Sequence, residues 1–355
     1  MAKSLYSSGK SQLPRIKAQF NPNYLDCRNN DLETEQDNQP MLVPYKLDHL
    51  DKYSKSQSIN PELPMPTNFN RMKRQLHGNF PAYGWIGGLI ILVAEVLLIL
   101  QIPFVQMFFT PIVWTGYILI VDALLHRLTG EGYLVRRQRE FLWILPSSLL
   151  CWLIFEAYNL HLQNWQYIHL PDNLVVRIIG YVWSFMTIFP AILITSEVLF
   201  HLRLFEKFAV RRFVISRQTL VFWTWIGAIF LIVPIVLPTP YAKYLFALVW
   251  IGFIFLLDPI NAWLGEHSLF IDLRAGRIDR LLSLFLSGAI CGLLWEFWNY
   301  WALTKWIYVL PFLPQPKIFE MPAIGFLGFL PFAAECYVMW ILIRFGVRRV
   351  YKGNG

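Results

Sequence analysis

Eight apolar stretches, each close to 20 residues long, follow a polar N-terminal segment. A helix rises about 1.5 Å per residue, so roughly 20 apolar residues cross the ~30 Å hydrocarbon core of a bilayer. The pattern predicts an all-α polytopic membrane protein. Its predicted spans are residues 83–102, 106–126, 141–160, 175–200, 219–238, 242–264, 281–301 and 321–345.

Prolines fall inside two of these spans, Pro190 in the fourth and Pro331 in the eighth. Proline has no backbone N–H, and its ring collides with the carbonyl four residues earlier. Both spans are therefore predicted to kink and to free a backbone carbonyl. Glu335, one turn after Pro331, is placed where it could reach such a carbonyl.

Residues 1–75 are polar, dotted with proline and poor in aliphatic periodicity. A segment of this kind cannot bury enough apolar surface to offset its ordering entropy, which predicts a disordered cytoplasmic tail. No apolar run follows the first lysines, so a cleavable signal peptide is not expected. The tail could bind a soluble partner.

The connections between the spans differ sharply in charge. One set carries 19 Lys and Arg residues, and the opposite set carries 4, which are Arg177, Lys243, Lys305 and Lys317. Because basic residues accumulate on the cytoplasmic side, both termini are predicted to lie in the cytoplasm of a bacterial inner membrane or its equivalent. The even number of spans agrees with this orientation.

Composition supports the same class. The chain is 56% hydrophobic and only 15% charged, against roughly 25% charged residues in a soluble domain. The net charge of +8 comes largely from basic clusters next to the spans. The predicted partners of these clusters are anionic lipid headgroups at the cytoplasmic face, and not nucleic acid.

The second half of the chain repeats the first. Glu156 and Asn159, three residues apart, recur 140 positions later as Glu296 and Asn299. Each half holds four spans, so the halves point the same way, and an axis along the membrane normal is predicted to relate them. The predicted division is a tail at 1–75, repeats at 76–202 and 219–346, a basic linker at 203–218 and a C-terminal tail at 347–355.

Acidic residues inside the spans are the candidates for chemistry. A central Asp costs at least about 2.5 kcal/mol to insert into a membrane, so such residues usually face a bundle interior or a cavity. The acids within the predicted spans are Glu95, Asp122, Glu156, Glu197, Asp258, Glu296 and Glu335.

We interpret Glu296, Glu156 and Glu335 as candidate catalytic acids, with Asn299 and Asn159 as candidate groups for holding a substrate. Residues three apart share a helical face, so each acid lies beside its amide. The alternative is structural: a protonated acid hydrogen-bonded to its amide or to a neighbouring helix. Asp122 and Asp258 lie near helix ends, where an ion pair or a cap is the favoured interpretation.

Aromatic side chains surround the second copy of this motif. Trp295, Trp298, Trp306 and Tyr308 are candidate substrate-binding residues, since indole faces can line a cavity for an apolar ligand or stabilise a carbocation. An interfacial aromatic belt explains much of this aromatic content, and packing within the bundle is the favoured explanation at any single position.

A family resemblance follows from these residues. An acid near the end of one span, a Trp-x-Tyr loop, and a Pro then a Glu in the next span resemble the membrane-embedded lycopene cyclase domain and the related carotenoid hydratases. The matching stretches are Trp295-Glu296, Trp306-x-Tyr308, Pro331 and Glu335, with Glu156, Trp165-x-Tyr167, Pro190 and Glu197 in the first half.

The resemblance covers spans three, four, seven and eight, which is under half of the chain. It departs from the family pattern because Glu296 is followed by Phe297 and not by a second acid, and because each half has four spans. It implies acid catalysis on an isoprenoid double bond without a cofactor, with Glu296 and Glu335 as the acids.

Two other functions stay open on the sequence. A duplicated bundle with acids at several depths also suits a proton-coupled transporter, and the long tail suits a non-catalytic scaffold or assembly protein. The sequence contains no phosphate-binding glycine loop, no histidine-rich metal pattern and no Cys-x-x-Cys-His motif, so no cofactor is predicted. The leading hypothesis is an enzyme or binding protein for an isoprenoid or another lipid.

Overall fold

The computed structural model describes residues 78–311 and 315–353. The predicted N-terminal tail lies outside the described residues. Eight helices in the described part of the chain are long and apolar enough to cross a membrane, which confirms the predicted all-α fold with eight spans. The helices are α1 (Ala82–Ile99), α2 (Pro103–Thr129), α3 (Gln138–Leu162), α4 (Leu174–Met186), α5 (Ile188–His201), α6 (Arg217–Val236), α7 (Thr239–Ala242), α8 (Phe246–Trp263), α9 (Leu269–Arg274), α10 (Asp279–Trp301) and α11 (Phe329–Gly353).

Short strands and one 3-10 helix lie in the connections. β1 (Trp165–Ile168) pairs antiparallel with β2 (Lys305–Tyr308), and β3 (Lys317–Ile318) pairs antiparallel with β4 (Met321–Pro322). A 3-10 helix, Ala323–Gly328, precedes α11. We call the end of the bundle that carries β1 and β2 the strand face, and the opposite end, which carries the connection between α5 and α6, the linker face.

Local sequence fixes several helix ends. Pro103 begins α2, where a missing N–H is harmless, and Gly130 ends it in a left-handed conformation with φ of 76°. Ser216 caps α6 by accepting from the N–H of Thr219, and Asn173 caps α4 in the same way. The long apolar runs are thus divided into spans by the residues that cap them.

The peripheral spans are α1 and α6. Helix α1 packs on α2, and α6 packs on α8, while α5, α10 and α11 pack together in the interior. Large apolar side chains such as Leu92, Ile99, Trp225 and Val236 are exposed on the outer helices. Exposure of this extent on contiguous apolar faces is typical of a surface that contacts lipid.

The fourth span is broken just before its proline. Helix α4 ends at Met186 and α5 begins at Ile188, so Pro190 sits in the first turn of α5 and needs no N–H. The Ser148 hydroxyl bridges the break, because it donates to the Phe185 carbonyl at 2.5 Å and accepts from the Phe189 N–H at 3.0 Å. The predicted kink therefore lies at Thr187, three residues before the proline. The carbonyl released from the helix is that of Phe185, and Ser148 binds it.

The eighth span breaks at the matching place. Its 3-10 helix ends at Gly328, and Pro331 again lies in the first turn of the following helix. Gly288, 140 positions after Ser148, faces this break so closely that a Cβ would overlap the Phe329 carbonyl. Glu335 does not reach a freed carbonyl but accepts from the N–H of Phe253 at 3.3 Å.

Asp122 and Asp258 hold the loops of the linker face. Asp122 accepts from the backbone N–H groups of Tyr133 and Leu134 at 2.6 and 3.2 Å. Asp258 accepts from those of Leu269 and Phe270 at 2.9 and 2.8 Å. Both aspartates therefore cap backbone groups, as favoured from the sequence, and they do so at positions that match between the halves.

Ion pairs complete the linker face. Arg137 pairs with Glu197 at 2.7 Å within the first half, and Arg348 pairs with Glu266 at 2.7 Å in the second. Burial alone would raise the pKa of Asp272, but its contacts with His267 and Arg277 hold that pKa below its usual value. These carboxylates are occupied by structural partners.

A glycine substitution tests the close contact at the second helix break. Gly288→Ala should destabilise the protein by about 1 to 3 kcal/mol, because the new methyl group must displace the Phe329 carbonyl in a packed interior. The measurement is thermal unfolding of the purified protein in detergent. Gly88→Ala is the matched control, since a Cβ at Gly88 meets nothing within 4 Å. Equal unfolding midpoints for the two variants would contradict the packing described.

Candidate functional site at the strand face

Two strands join the halves of the bundle at the strand face. β1 follows α3 and β2 follows α10, so each strand comes directly after a span that carries a candidate acid. In the antiparallel register Trp165 lies opposite Tyr308, and Tyr167 lies opposite Trp306. The two Trp-x-Tyr loops are thereby held against each other across the junction of the halves.

The two asparagines fix these strands to their helices. The Asn159 amide donates to the Trp165 carbonyl at 2.8 Å and its oxygen accepts from the Trp165 N–H at 3.1 Å. Asn299 makes the same two bonds to Trp306, at 2.9 and 3.1 Å. Each side-chain amide is thus occupied by backbone groups, and neither lines the cavity described below.

Glu156 receives three hydrogen bonds on one oxygen. Its Oε1 accepts from Tyr167 at 2.5 Å, from the Trp152 indole at 2.9 Å and from the Trp165 indole at 3.2 Å. The side chain is partly buried at the end of α3. Three donors on one oxygen stabilise negative charge on this carboxyl group.

Glu296 has a poorer set of donors in a more buried place. Its Oε1 accepts from Tyr308 at 2.7 Å, and the Trp306 indole donates to the tyrosine oxygen and not to the acid, at 2.9 Å. The residue is 0% exposed. Its Oε2 is buried without a hydrogen-bond partner among the described residues.

Both tyrosines remain hydrogen-bond donors. Burial raises the pKa of Tyr167 and of Tyr308 well above the ordinary value, and the adjacent carboxyl groups, Glu156 and Glu296, raise it further. The phenols are therefore protonated at neutral pH. Each can pass a proton between its carboxyl group and whatever lies on its other side.

A cavity of about 100 Å³ lies between the two tyrosines and their surrounding rings. Tyr167 and Tyr308 both line it, whereas the acids lie behind them. Its wall comes from both halves and also includes Arg177 and Lys305. Aromatic rings are the most numerous side chains in it, among them Trp114, Trp152, Trp165, Tyr181, Phe185, Trp250, Trp295, Trp306, Phe329 and Phe332. The structure thus brings the two acid–tyrosine pairs to one shared chamber, with Glu296 fully buried and Glu156 partly buried.

Of the remaining candidates, Glu335 and Trp298 lie away from this cavity, and Trp295 and Trp306 line it. Glu335 is fully buried, is absent from the cavity wall, and has an Oε2 without a partner in the described part of the chain. Trp298 lines a second cavity, where its indole donates to Glu95 at 3.3 Å. Trp295 and Trp306 line the first cavity, with ring centroids 6.0 Å apart.

Several residues of the site were not among the sequence candidates. Tyr167 and Trp165 belong to the first-half copy of the Trp-x-Tyr loop, so the repeat itself identifies them once Tyr308 is suspected. Phe332 packs against Trp250 and Trp295, with centroids 5.2 and 6.2 Å away. No sequence signal separates this phenylalanine from the other 27 in the chain.

Comparisons with protein families, with curated proteins and with solved structures found no match. The described residues also contain no group of three or more His, Cys, Asp or Glu side chains placed to hold a metal ion. The chemistry of the site is therefore argued from its own geometry.

Cysteine cross-linking tests the register that brings the loops together. Gln166 and Ile307 are directly opposite in the strand pair. The double variant Gln166→Cys with Ile307→Cys, in a Cys27→Ser background, should form a disulfide on mild oxidation. The link is detected as two fragments held together after cleavage in the segment between α5 and α6.

The control pair is Gln166→Cys with Val309→Cys. These positions are diagonal in the ladder, where Cα atoms are about 7 to 8 Å apart and a disulfide does not close without backbone movement. Efficient cross-linking of the diagonal pair, or none in the opposite pair, would disprove the register.

Proposed function

We propose that this polytopic membrane protein binds an isoprenoid or another unsaturated lipid in the strand-face cavity and protonates one of its double bonds. Glu296 is the proton source and acts through Tyr308. The observation that carries the proposal is the pair of acid–tyrosine contacts, 2.5 Å at Glu156 and 2.7 Å at Glu296, on opposite halves of one aromatic cavity.

The cavity wall supports an apolar ligand. Aromatic and aliphatic side chains dominate it, which favours a hydrocarbon over a polar solute. An engineered apolar cavity of about 150 Å³ binds benzene, so a volume near 100 Å³ suits one isoprene-sized unit. Met107, Val176 and Gly180 line the cavity and are partly exposed, which gives the rest of a chain a way out between α2 and α4.

The proton balance is simple. When Glu296 is protonated, its O–H donates to the Tyr308 oxygen across the 2.7 Å contact. The phenol O–H of Tyr308 is then free to point into the cavity. The π electron pair of the double bond forms a C–H bond with the phenol proton at one alkene carbon. Glu296 then gives its own proton to the tyrosine oxygen. The neighbouring carbon becomes a carbocation, which the indole faces of Trp152, Trp295 and Trp306 stabilise.

The first-half pair suits the opposite role. Glu156 accepts three hydrogen bonds and is matched to negative charge, whereas Glu296 accepts one and its Oε2 has no donor, so the surroundings of Glu296 favour the neutral acid. A proton lost from a carbon beside the carbocation passes through Tyr167 to Glu156, and a double bond re-forms at a new position. The reaction is an isomerisation or a cyclisation, and exchange with solvent resets the two acids.

This chemistry is also what the resemblance to the lycopene cyclase domain and the carotenoid hydratases implies. In the proposal Glu335 has no direct role, because it is absent from the cavity wall. The transporter and scaffold alternatives rest on sequence alone. The paired acids on one aromatic cavity favour the enzyme.

Deuterium uptake tests the proposed protonation. The reconstituted protein is supplied in D2O with a total isoprenoid extract, and separately with lycopene and with squalene. The wild type should place deuterium on carbon in a bound lipid, detected by mass spectrometry. Glu296→Gln should abolish uptake and still retain the lipid, because the amide keeps the shape and removes the proton source.

Two further variants separate the roles. Tyr308→Phe should slow uptake by about 100-fold or more, as expected for loss of a positioned proton donor. Glu156→Gln should allow the first protonation and block the second step, so the product pattern changes. Glu131→Gln, at an exposed position outside the spans, is the control. Normal uptake in the Glu296→Gln variant would refute the proposal.

A further inference from the structure

A second, larger cavity lies beside the first at the strand face. Its volume is about 670 Å³, and it is bounded by the ends of α1, α2 and α10. Ile99, Phe297 and Trp301, which line it, are exposed on the outside of the bundle. The cavity therefore opens sideways to lipid, at the level where the spans end.

The floor of this cavity carries a carboxylate inside a span. Glu95 lies four residues before the end of α1, which is about 6 Å from the helix end. Its Oε1 accepts from the Trp298 indole at 3.3 Å. Glu95 lines the cavity and is partly exposed, so its side chain borders the open space. Acids in membrane spans usually face a cavity that they serve.

The charge of the wall favours a cationic ligand. Lys305 also lines the cavity, but its ammonium group is bound to Glu320 at 2.6 Å and to the Tyr300 carbonyl at 3.1 Å. Gln101, Gln106 and His169 supply further polar groups, and Phe297, Trp298 and Trp301 supply aromatic faces. A carboxylate among aromatic rings is the arrangement that recognises alkylammonium groups.

We propose that this second cavity binds an alkylammonium group, with Glu95 as its counter-ion and the rings of Trp298 and Trp301 around it. The ammonium is carried by a membrane lipid headgroup or by a free amine. A lipid is accommodated because Ile99, Phe297 and Trp301 at the mouth are apolar and exposed on the outside of the bundle. This site is independent of the acid–tyrosine pairs.

Lipid retention tests the site. The full chain is reconstituted with equal amounts of dioleoyl phosphatidylethanolamine and dioleoyl phosphatidylglycerol, extracted in detergent, and analysed by native mass spectrometry. The ethanolamine lipid should be retained about fivefold over the glycerol lipid. Glu95→Gln should remove this preference, and Trp298→Phe should reduce it, because it keeps a ring but loses the indole.

Glu131→Gln is the matched control, since it makes the same substitution at an exposed position outside both cavities and should leave the preference intact. A second arm adds free tetramethylammonium during extraction. If tetramethylammonium displaces the ethanolamine lipid, the site accepts ammonium groups from either source. If tetramethylammonium binds only when Glu95 is present and the protein shows no lipid preference, the site is assigned to free amines. The proposal is overturned if both lipids are retained equally and amine binding does not depend on Glu95. Thermal unfolding of the Glu95→Gln variant at the wild-type temperature checks that the variant is folded.

Discussion

In the hydrocarbon region of a bilayer a backbone amide or carbonyl finds no water, and each unpaired group costs several kcal/mol. The chain meets this constraint at several places where it leaves helical geometry inside or beside a span. Ser148 spans the break between α4 and α5, and Asp122 and Asp258 hold the loops of the linker face. At the strand face β1 and β2 satisfy each other across the two halves. The last of these contacts positions the site, because it sets the two Trp-x-Tyr loops side by side.

The same constraint decides which polar residues are free for chemistry. Asn159 and Asn299 look like substrate-holding groups in the sequence, yet both amides are occupied by the strands that follow them. The carboxyl groups of Glu156 and Glu296 are engaged by tyrosines that themselves line the cavity. A proton that moves between either acid and the cavity would therefore pass through a tyrosine hydroxyl.

Much of the fold could be predicted from hydropathy, and part of the site from the repeat. The fourth span was expected at 175–200 and is found at Leu174–His201, because the apolar run ends where charged residues begin. The matching Trp-x-Tyr loops, 141 residues apart, point from Tyr308 to Tyr167. The sequence cannot reveal that their strands pair with each other, since that contact depends on how the halves pack. Proline predicted kinks in two spans, whereas the exact breaks depend on Ser148 and Gly288. The descent of the halves from one unit remains a prediction.

Two pairs of matched positions make the two acids unlike each other. The Trp165 indole donates to Glu156, whereas the Trp306 indole donates to Tyr308. Trp152 donates its indole N–H to Glu156, and the position 140 residues later is Gly292, which has no side chain to give. A Cβ at Gly292 would overlap the ring of Phe329, so the space of the missing indole is filled by an apolar group. Glu296 is left with one donor and an orphaned oxygen. In the proposed reaction, two identical acids would exchange protons with no preferred direction. The difference in donors is what would let Glu296 release the proton that Glu156 collects.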